Sequence, residues 1–231
     1  GFGWTDEHTV ANAISGNGIV RLGRTDGTLP STQVVTLSGN STYTGATQVN
    51  AGRLNLTGTL TSAITVASGA RISGTGSTTG LLTLSSGGGI ALAGGTTTGS
   101  ITVNGATFSG ANQVTFLTAP VASTVYDVFT YGSGTVTTPG NLTAPYRGTL
   151  ADVPASQKYT FTAGEYGATR TWNTTTGTWD VATTANWAEG DYLFYSADNV
   201  VFGDRGSDSV VTLTGTLLPG SVTVGNSANK Y

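Results

Sequence analysis

Carboxylates are the side chains of this sequence best suited to chemistry, and they are densest in its C-terminal part. Five of the twelve Asp and Glu residues fall within twenty positions, from Glu189 to Asp208. Loop carboxylates at this density could bind Ca²⁺. A small residue precedes each aspartate of the run, which is typical of turns capped by Asp side chains. Because the spacing matches neither an EF-hand loop nor a calcium-binding nonapeptide, we favour turns and predict no metal site.

Proton transfer has few candidates elsewhere in the sequence. His8 is the only histidine and has only Asp6 and Glu7 beside it, so we predict that it lies in a solvated polar turn. Between Asp26 and Asp127 there is no Asp, Glu or His, which leaves that stretch without a general acid or base. We therefore expect no catalytic residue and no cofactor. The remaining enzymatic alternative is a hydrolase that acts through Asp191 or Asp198.

Three tryptophans offer a different chemistry. Trp172, Trp179 and Trp187 could form an exposed face on which sugar rings stack. Tryptophans in such a segment also fill the core of an irregular β-structure, and we favour this second interpretation. The sequence leaves both open.

A short repeat must position these residues. Two sets of apolar residues recur at intervals of 17 to 19, with a set of glycines in step between them. The first apolar set is Leu54, Ile72, Ile90 and Phe108, the second is Val49, Val66, Leu84 and Val103, and the glycines are Gly52, Gly69, Gly87 and Gly105. Such a period predicts coils that stack the same side chains in continuous rows, with glycine at the bends.

Hairpins are the alternative to coils, because each glycine-containing link could also close a β-hairpin. The alternating segments are three or four residues long, shorter than the usual five or six of a sandwich strand, and hairpins do not require a constant phase. We therefore predict an all-β fold, a parallel β-solenoid (β-helix) with coils of about 18 residues and wider, irregular coils in the C-terminal half.

Changes in periodicity and composition divide the sequence into four segments. We predict irregular N-terminal coils over 1–33, regular solenoid repeats over 34–117, an irregular β protrusion or wider coils over 118–171, and Trp-bearing coils over 172–231.

Composition excludes several classes of partner. Only 9% of the residues are charged, and the two Lys and seven Arg are scattered, so a nucleic-acid partner is not expected. No apolar run is long enough to insert in a bilayer. The absence of cysteine suits a chain exported through an oxidising compartment.

Two stretches resemble known bacterial surface proteins. The run LSGNSTYTGATQVNAGRL, residues 37–54, resembles the passenger-associated repeat of autotransporters, with Ala46 where that repeat usually has a second glycine. The C-terminal part resembles the tryptophan-bearing segment of surface proteins built from autotransporter-associated β-strand repeats. The matching pieces are residues 171–173, 177–180, 186–187, 198–204, 211–213 and 221–224.

The resemblance implies a secreted, right-handed β-helical protein without enzymatic activity in its repeats. We expect an extracellular location on the bacterial cell surface and a structural role in a fibre, surface layer or autotransporter passenger. Joining Tyr231 to Gly1 reads as an unbroken strand and turn, so we expect the chain to associate with itself end to end or to be one unit of a tandem array. The alternative is an adhesin that binds a host surface or glycan through its C-terminal aromatic residues.

Overall fold

The computed structural model describes residues 7–23, 33–94, 99–204, 210–225 and 227. The expected junction between Tyr231 and Gly1 lies outside the described residues, as do Asp6, Asp26 and Asp208. The chain divides into two compact units. Unit 1 comprises residues 1–144 and 149–162, and unit 2 comprises 145–148 and 163–231. This boundary falls inside the segment 118–171 that the sequence set apart.

Short strands connected by glycine-rich turns make up unit 1. The last two strands begin or end one residue outside the unit. In chain order the described strands are β1 (His8–Val10), β2 (Val20–Leu22), β3 (Val34–Leu37), β4 (Thr47–Val49), β5 (Arg53–Leu56), β6 (Thr59–Leu60), β7 (Ile64–Val66), β8 (Arg71–Gly74), β9 (Ser77–Thr78), β10 (Leu81–Leu84), β11 (Gly89–Leu92), β12 (Ile101–Val103), β13 (Gly105–Phe108), β14 (Asn112–Phe116), β15 (Val125–Tyr131), β16 (Val136–Thr137), β17 (Leu142–Thr143), β18 (Gly148–Val153) and β19 (Lys158–Ala163).

These strands form three sheets, and successive strands of the chain enter different sheets. Sheet 1 has the order β1-β3-β5-β8-β11-β14-β17, sheet 2 the order β2-β4-β7-β10-β13-β16, and sheet 3 the order β6-β9-β12-β15-β19-β18. Neighbours run parallel throughout sheets 1 and 2 and from β6 to β15 in sheet 3, after which β19 joins antiparallel. The prediction of an all-β fold with parallel strands is confirmed.

Rows of apolar side chains run across the first two sheets. In sheet 1, Leu54 pairs with Ile72 and Ile72 with Ile90, each 18 residues further along the chain. All three are at most 1% exposed. In sheet 2, Val49 pairs with Val66, 17 residues further along, and Val66 pairs with Leu84, 18 residues further along. These six residues therefore share two buried rows, because side chains at paired positions of parallel strands point to the same face.

The fourth member of each row is not the residue that the sequence period indicates. Ile90 pairs with Val114, and Phe108 pairs instead with Leu84 in sheet 2. Val103 lies in sheet 3, where it pairs with Tyr131. The cause is a longer connection: eight residues separate β11 from β12, whereas two separate β8 from β9. Those six extra residues change the interval between paired residues from 18 to 24.

A chain of hydroxyl groups is buried beside these rows. The Tyr43 hydroxyl lies 2.5 Å from Oγ1 of Thr47, which lies 2.6 Å from Oγ of Ser62. Thr78 donates to the Ser62 carbonyl oxygen at 2.6 Å. Each of these residues is at most 4% exposed, so their mutual hydrogen bonds offset the cost of removing the hydroxyls from water.

The four predicted turn glycines divide into two kinds. Gly52, Gly69 and Gly87 have φ of +68°, +76° and +83°, a backbone conformation that favours glycine. Gly105 instead begins strand β13, where a Cβ would come 2.8 Å from the Thr135 carbonyl oxygen. Glycine is needed at this position because the backbone of a neighbouring segment approaches closely, and not because the chain bends there.

Unit 2 contains β20 (Thr169–Thr171), β21 (Thr176–Trp179), β22 (Asn199–Phe202), β23 (Val210–Leu213) and β24 (Ser221–Val224). They form two parallel sheets of described strands, β20-β22-β24 and β21-β23. The described helices are single 3-10 turns in unit 1, Pro139–Asn141 and Pro154–Ser156. In the described part of the chain, no helix has the length and apolar character needed to cross a bilayer.

Two glycines of the same conformation provide a matched test of the turns. A Cβ at Gly52 would meet the Gln33 carbonyl oxygen at 2.5 Å, whereas one at Gly69 would meet nothing within 4 Å. We expect Gly69→Ala to cost about 1–2 kcal/mol of unfolding free energy from backbone strain alone. Gly52→Ala should cost measurably more because of the added clash. Urea denaturation followed by circular dichroism measures both, and equal losses would contradict the assigned contact.

Candidate functional site

The three tryptophans named above form the core of unit 2. Trp172, Trp179 and Trp187 are 0%, 6% and 1% exposed. The rings of Trp172 and Trp187 meet edge to face with centroids 5.2 Å apart, and those of Trp179 and Phe194 do the same at 5.2 Å. The cluster is completed by Val200 and Phe202.

This burial contradicts the contact role that the sequence allows as an alternative, and it agrees with the packing interpretation that we favour. A ring that stacks on a sugar must present one face to solvent, and none of these three does so. Together with Phe194 and Phe202, these rings fill the space between the short strands of unit 2. Aromatic pairs at these distances add about 0.5–1.5 kcal/mol each beyond the burial of their area.

The acidic segment joins two arginines in a charged cluster inside unit 2. The side chain of Asp198 is 1% exposed, and its Oδ2 accepts hydrogen bonds from Nη2 of Arg147 at 2.9 Å and Nε of Arg170 at 3.2 Å. The Tyr195 backbone N–H donates to the same oxygen at 3.0 Å. The Arg170 side chain is 5% exposed and also donates to the Glu189 carbonyl oxygen.

Asp191 extends this cluster to the surface. Its carboxylate accepts from Nη1 of Arg147 at 3.1 Å and lies 3.4 Å from Nη2 of Arg170, with 40% of the side chain exposed. Partial burial alone would raise the pKa of Asp191. The Leu193 backbone hydrogen bond and the two guanidinium charges outweigh burial and hold this pKa below its usual range. Two aspartates thus balance two arginines.

The turn interpretation fits only part of the acidic run. Asp191 accepts from the backbone N–H of Leu193, two residues further along, as a turn aspartate does. Asp204 instead accepts from the backbone N–H and the hydroxyl of Ser227, 23 residues away. Within the described ranges, no three His, Asp or Glu side chains converge as a metal site would require. The carboxylates are directed at arginines and backbone N–H groups.

Two other candidates are in unit 1. His8, expected in a turn, begins strand β1 opposite Val35 and is half-buried.

A cavity of about 190 Å³ opens where β8 and β11 separate after their pairing at Ile72 and Ile90. It is smaller than the roughly 300–1,000 Å³ of typical ligand pockets, and Nη1 of Arg53 at its rim donates to Oγ of Ser73.

The pKa of a tyrosine in sheet 3 is strongly raised. Tyr131 donates to Oδ1 of Asp152 at 2.7 Å. This hydrogen bond, together with burial and the carboxylate charge, raises the pKa of Tyr131 to about 12. The phenol therefore stays protonated at neutral pH and acts as a hydrogen-bond donor between strands β15 and β18.

The final strands of unit 2 expose side chains that align with its core. Val222 pairs with the fully buried Val200, and Leu213 pairs with Trp179. Val222 is nevertheless 51% exposed and Leu213 63%. β23 and β24 are the outermost described strands of their sheets, and no described strand pairs with their outer edges. The core rows of unit 2 thus continue to an open edge.

The charged cluster was not anticipated from the sequence. Arg147 and Asp198 are 51 residues apart, and no periodic signal connects them. The one signal in the sequence is the small number of charged residues. The chain has nine Lys and Arg residues, and any arginine among them that is buried needs an acidic partner. The edge at β23 and β24 has a clearer signal, because residues 209–229 contain no charged side chain.

No protein-family model matches this chain, and neither does any curated protein.

The buried charge should be far more important than a surface one. Asp198→Asn removes the buried one of the two carboxylates that Arg147 and Arg170 share, so we expect a loss of about 3–5 kcal/mol of unfolding free energy. Asp127→Asn is the control, because its ion pair with Lys158 at 2.7 Å is partly exposed and should contribute no more than about 1 kcal/mol. Urea denaturation measures both. Similar losses for the two variants would contradict the cluster.

Acid should weaken unit 2 through Asp191. Because the folded state lowers the pKa of this group, its stabilisation is present above the unfolded pKa and disappears as pH falls through the lower folded value. The gap in melting temperature between wild type and Asp191→Asn should therefore narrow as pH falls below about 5, and it should disappear once Asp191 is protonated in the folded state. Tryptophan fluorescence reports this melting. A gap that is independent of pH would contradict the assignment.

Proposed function

We propose that this chain is a structural protein whose function is mechanical: a stiff repeat unit of a bacterial surface fibre, surface layer or autotransporter passenger. The observation that carries the proposal is the pair of buried rows, Leu54–Ile72–Ile90 and Val49–Val66–Leu84, that run across parallel strands. Each strand is bound to its neighbours by backbone hydrogen bonds and by side chains at once. Deformation of one layer therefore requires deformation of the next.

For unit 1 we propose a right-handed β-solenoid with coils of about 18 residues that widen to 24 after β11 and to 28–30 after β12. Support comes from the order in which the chain visits its sheets. A strand of sheet 1, a strand of sheet 3 and a strand of sheet 2 follow one another, as β5, β6 and β7 do, before β8 returns to sheet 1. Parallel crossovers of this kind are right-handed in nearly all known cases.

The proposal assigns no enzymatic activity to this chain. The regular strands contain no acid or histidine between Asp26 and Asp127. In unit 2 the carboxylates of Asp191 and Asp198 are engaged by Arg147 and Arg170, whereas a hydrolase needs one carboxyl group able to give up its proton. These contacts favour a role in holding unit 2 together.

An extracellular location completes the proposal. Solubility with 9% charged residues relies on the 45 threonines, whose hydroxyls remain polar at any pH. A chain without cysteine has no thiol to cross-link during export. The adhesin alternative gains no support from the aromatic residues, since Trp172, Trp179 and Trp187 are buried.

Truncation of one row residue tests the stacked core. Leu54 is fully buried between paired strands on both sides, so Leu54→Ala should cost about 2–5 kcal/mol of unfolding free energy. Leu117→Ala is the matched control, because the same change is made at a side chain that is 53% exposed. Thermal and urea unfolding measure both variants. Equal stabilities of the two variants would contradict the stacked core on which the mechanical role depends.

An activity screen checks the remaining part of the proposal. The purified chain should show no turnover of polysaccharides or peptides above a buffer blank. Turnover that is lost in Asp191→Asn while the melting temperature at neutral pH stays close to that of wild type would overturn the non-enzymatic assignment.

A further inference from the structure

We propose that the open edge of β23 and β24 is a docking surface for the N-terminal edge strands of a second copy of this chain, which extends the parallel ladder head to tail. The inference rests on the proposed structural function and identifies the surfaces through which it would operate. The docking surface comprises Val210–Leu213 and Ser221–Val224.

The chemistry of this surface requires a β-strand as its occupant. On the inner side of β24 the backbone already donates to β22, for example from Gly225 to the Phe202 carbonyl oxygen at 2.9 Å. Among the described residues, the outer N–H and C=O groups have no strand opposite them. Val224 aligns with Phe202, which is 6% exposed, yet is itself 62% exposed. An added strand would form hydrogen bonds with the outer N–H and C=O groups of β24, and it would at the same time bury the exposed valines of that strand.

The lack of charge on the docking surface limits which strand can pair with it. Natural sheet edges are usually protected by Lys, by inward-pointing charges, by Pro within the strand or by bulges. Residues 209–229 carry no charge, and the only proline there, Pro219, precedes β24. If the docking strand had a charged side chain in its inner row, that charge would be buried with no opposite charge on this surface to pair with. The inner row of the docking strand must therefore be uncharged.

The N-terminal edge of the same chain meets these requirements. β1 and β2 are the outermost described strands of sheets 1 and 2, and they run parallel to their neighbours. In β2 the inward positions are Val20 and Leu22, which pair with Thr47 and Val49, while the charged Arg21 faces outward. β24 has the same alternation, because its Val222, Thr223 and Val224 correspond in order to the three residues of β2.

Polarity of the edges decides between head-to-tail and two-fold association. Two copies related by a two-fold axis would pair β24 with β24 antiparallel. That arrangement breaks the parallel ladder β20-β22-β24, whereas β2 of a second copy continues it. Two of the outermost described strands in each unit, β1 and β2 in unit 1 and β23 and β24 in unit 2, are available for such pairing. Head-to-tail contacts of this kind join copies of the chain in series, as a ring or as a filament.

The lack of native cysteine allows a direct test by cross-linking. In the proposed register Thr223 lies beside Arg21 of the second copy, with Cα atoms about 4.8 Å apart, which is within disulfide range. Thr223→Cys and Arg21→Cys proteins of different mass are mixed at high concentration, oxidised and analysed by mass spectrometry. We expect the mixed disulfide to exceed either homodimer at least tenfold. Predominance of the Thr223→Cys homodimer, or no cross-link, would overturn the head-to-tail contact.

Sedimentation of the unmodified chain provides the second measurement. Average mass should rise with concentration, and Val222→Lys should weaken this association at least tenfold because it places a charge in the docking row. The control is Val121→Lys, at a valine that is 54% exposed in unit 1. Circular dichroism establishes that both variants are folded. A chain that stays monomeric while Leu54→Ala remains strongly destabilising would overturn the docking proposal and leave the structural function intact.

Discussion

The register between parallel strands is the constraint on which the rest of this structure depends. When Leu54 lies beside Ile72 and Ile72 beside Ile90, the backbone ladder and the apolar row are satisfied together. A shift of one residue would turn each apolar side chain to solvent and each hydroxyl inward. Glycines such as Gly52 stabilise the register indirectly, because the turn before β5 leaves no space for a Cβ. The chain therefore needs few charges to specify its fold.

Unit 2 solves the same problem with different residues. Its described sheets have three and two strands, too few to bury long aliphatic rows. Trp172, Trp179 and Trp187 supply large buried volumes in their place. The cluster of Arg147, Arg170 and Asp198 holds the loops around them, at the desolvation cost that any buried charge carries. Removal of one partner is therefore more damaging than the net stabilisation of the cluster suggests.

Prediction from the sequence succeeded where the signal was periodic. The all-β class and the parallel arrangement follow from apolar residues at regular intervals, and the same intervals relate Val49, Val66 and Leu84. The placement of Phe108 and Val103 could not be predicted, because a longer connection before β12 shifts the phase without changing the local alternation. The partnership of Arg147 with Asp198 was also beyond reach, since a contact across 51 residues leaves no local pattern. The sequence favours burial of the tryptophans without deciding it, because an aromatic residue suits both a core and a binding face.

A double-mutant cycle on Leu54 and Ile72 tests the central claim most directly. The two residues are paired on adjacent strands and fully buried, so their truncations to Ala should not be independent. We expect a coupling free energy of about 0.5–3 kcal/mol between the two substitutions in urea denaturation. Additivity within about 0.3 kcal/mol would mean that the two side chains do not share a row, and would contradict the stacked architecture.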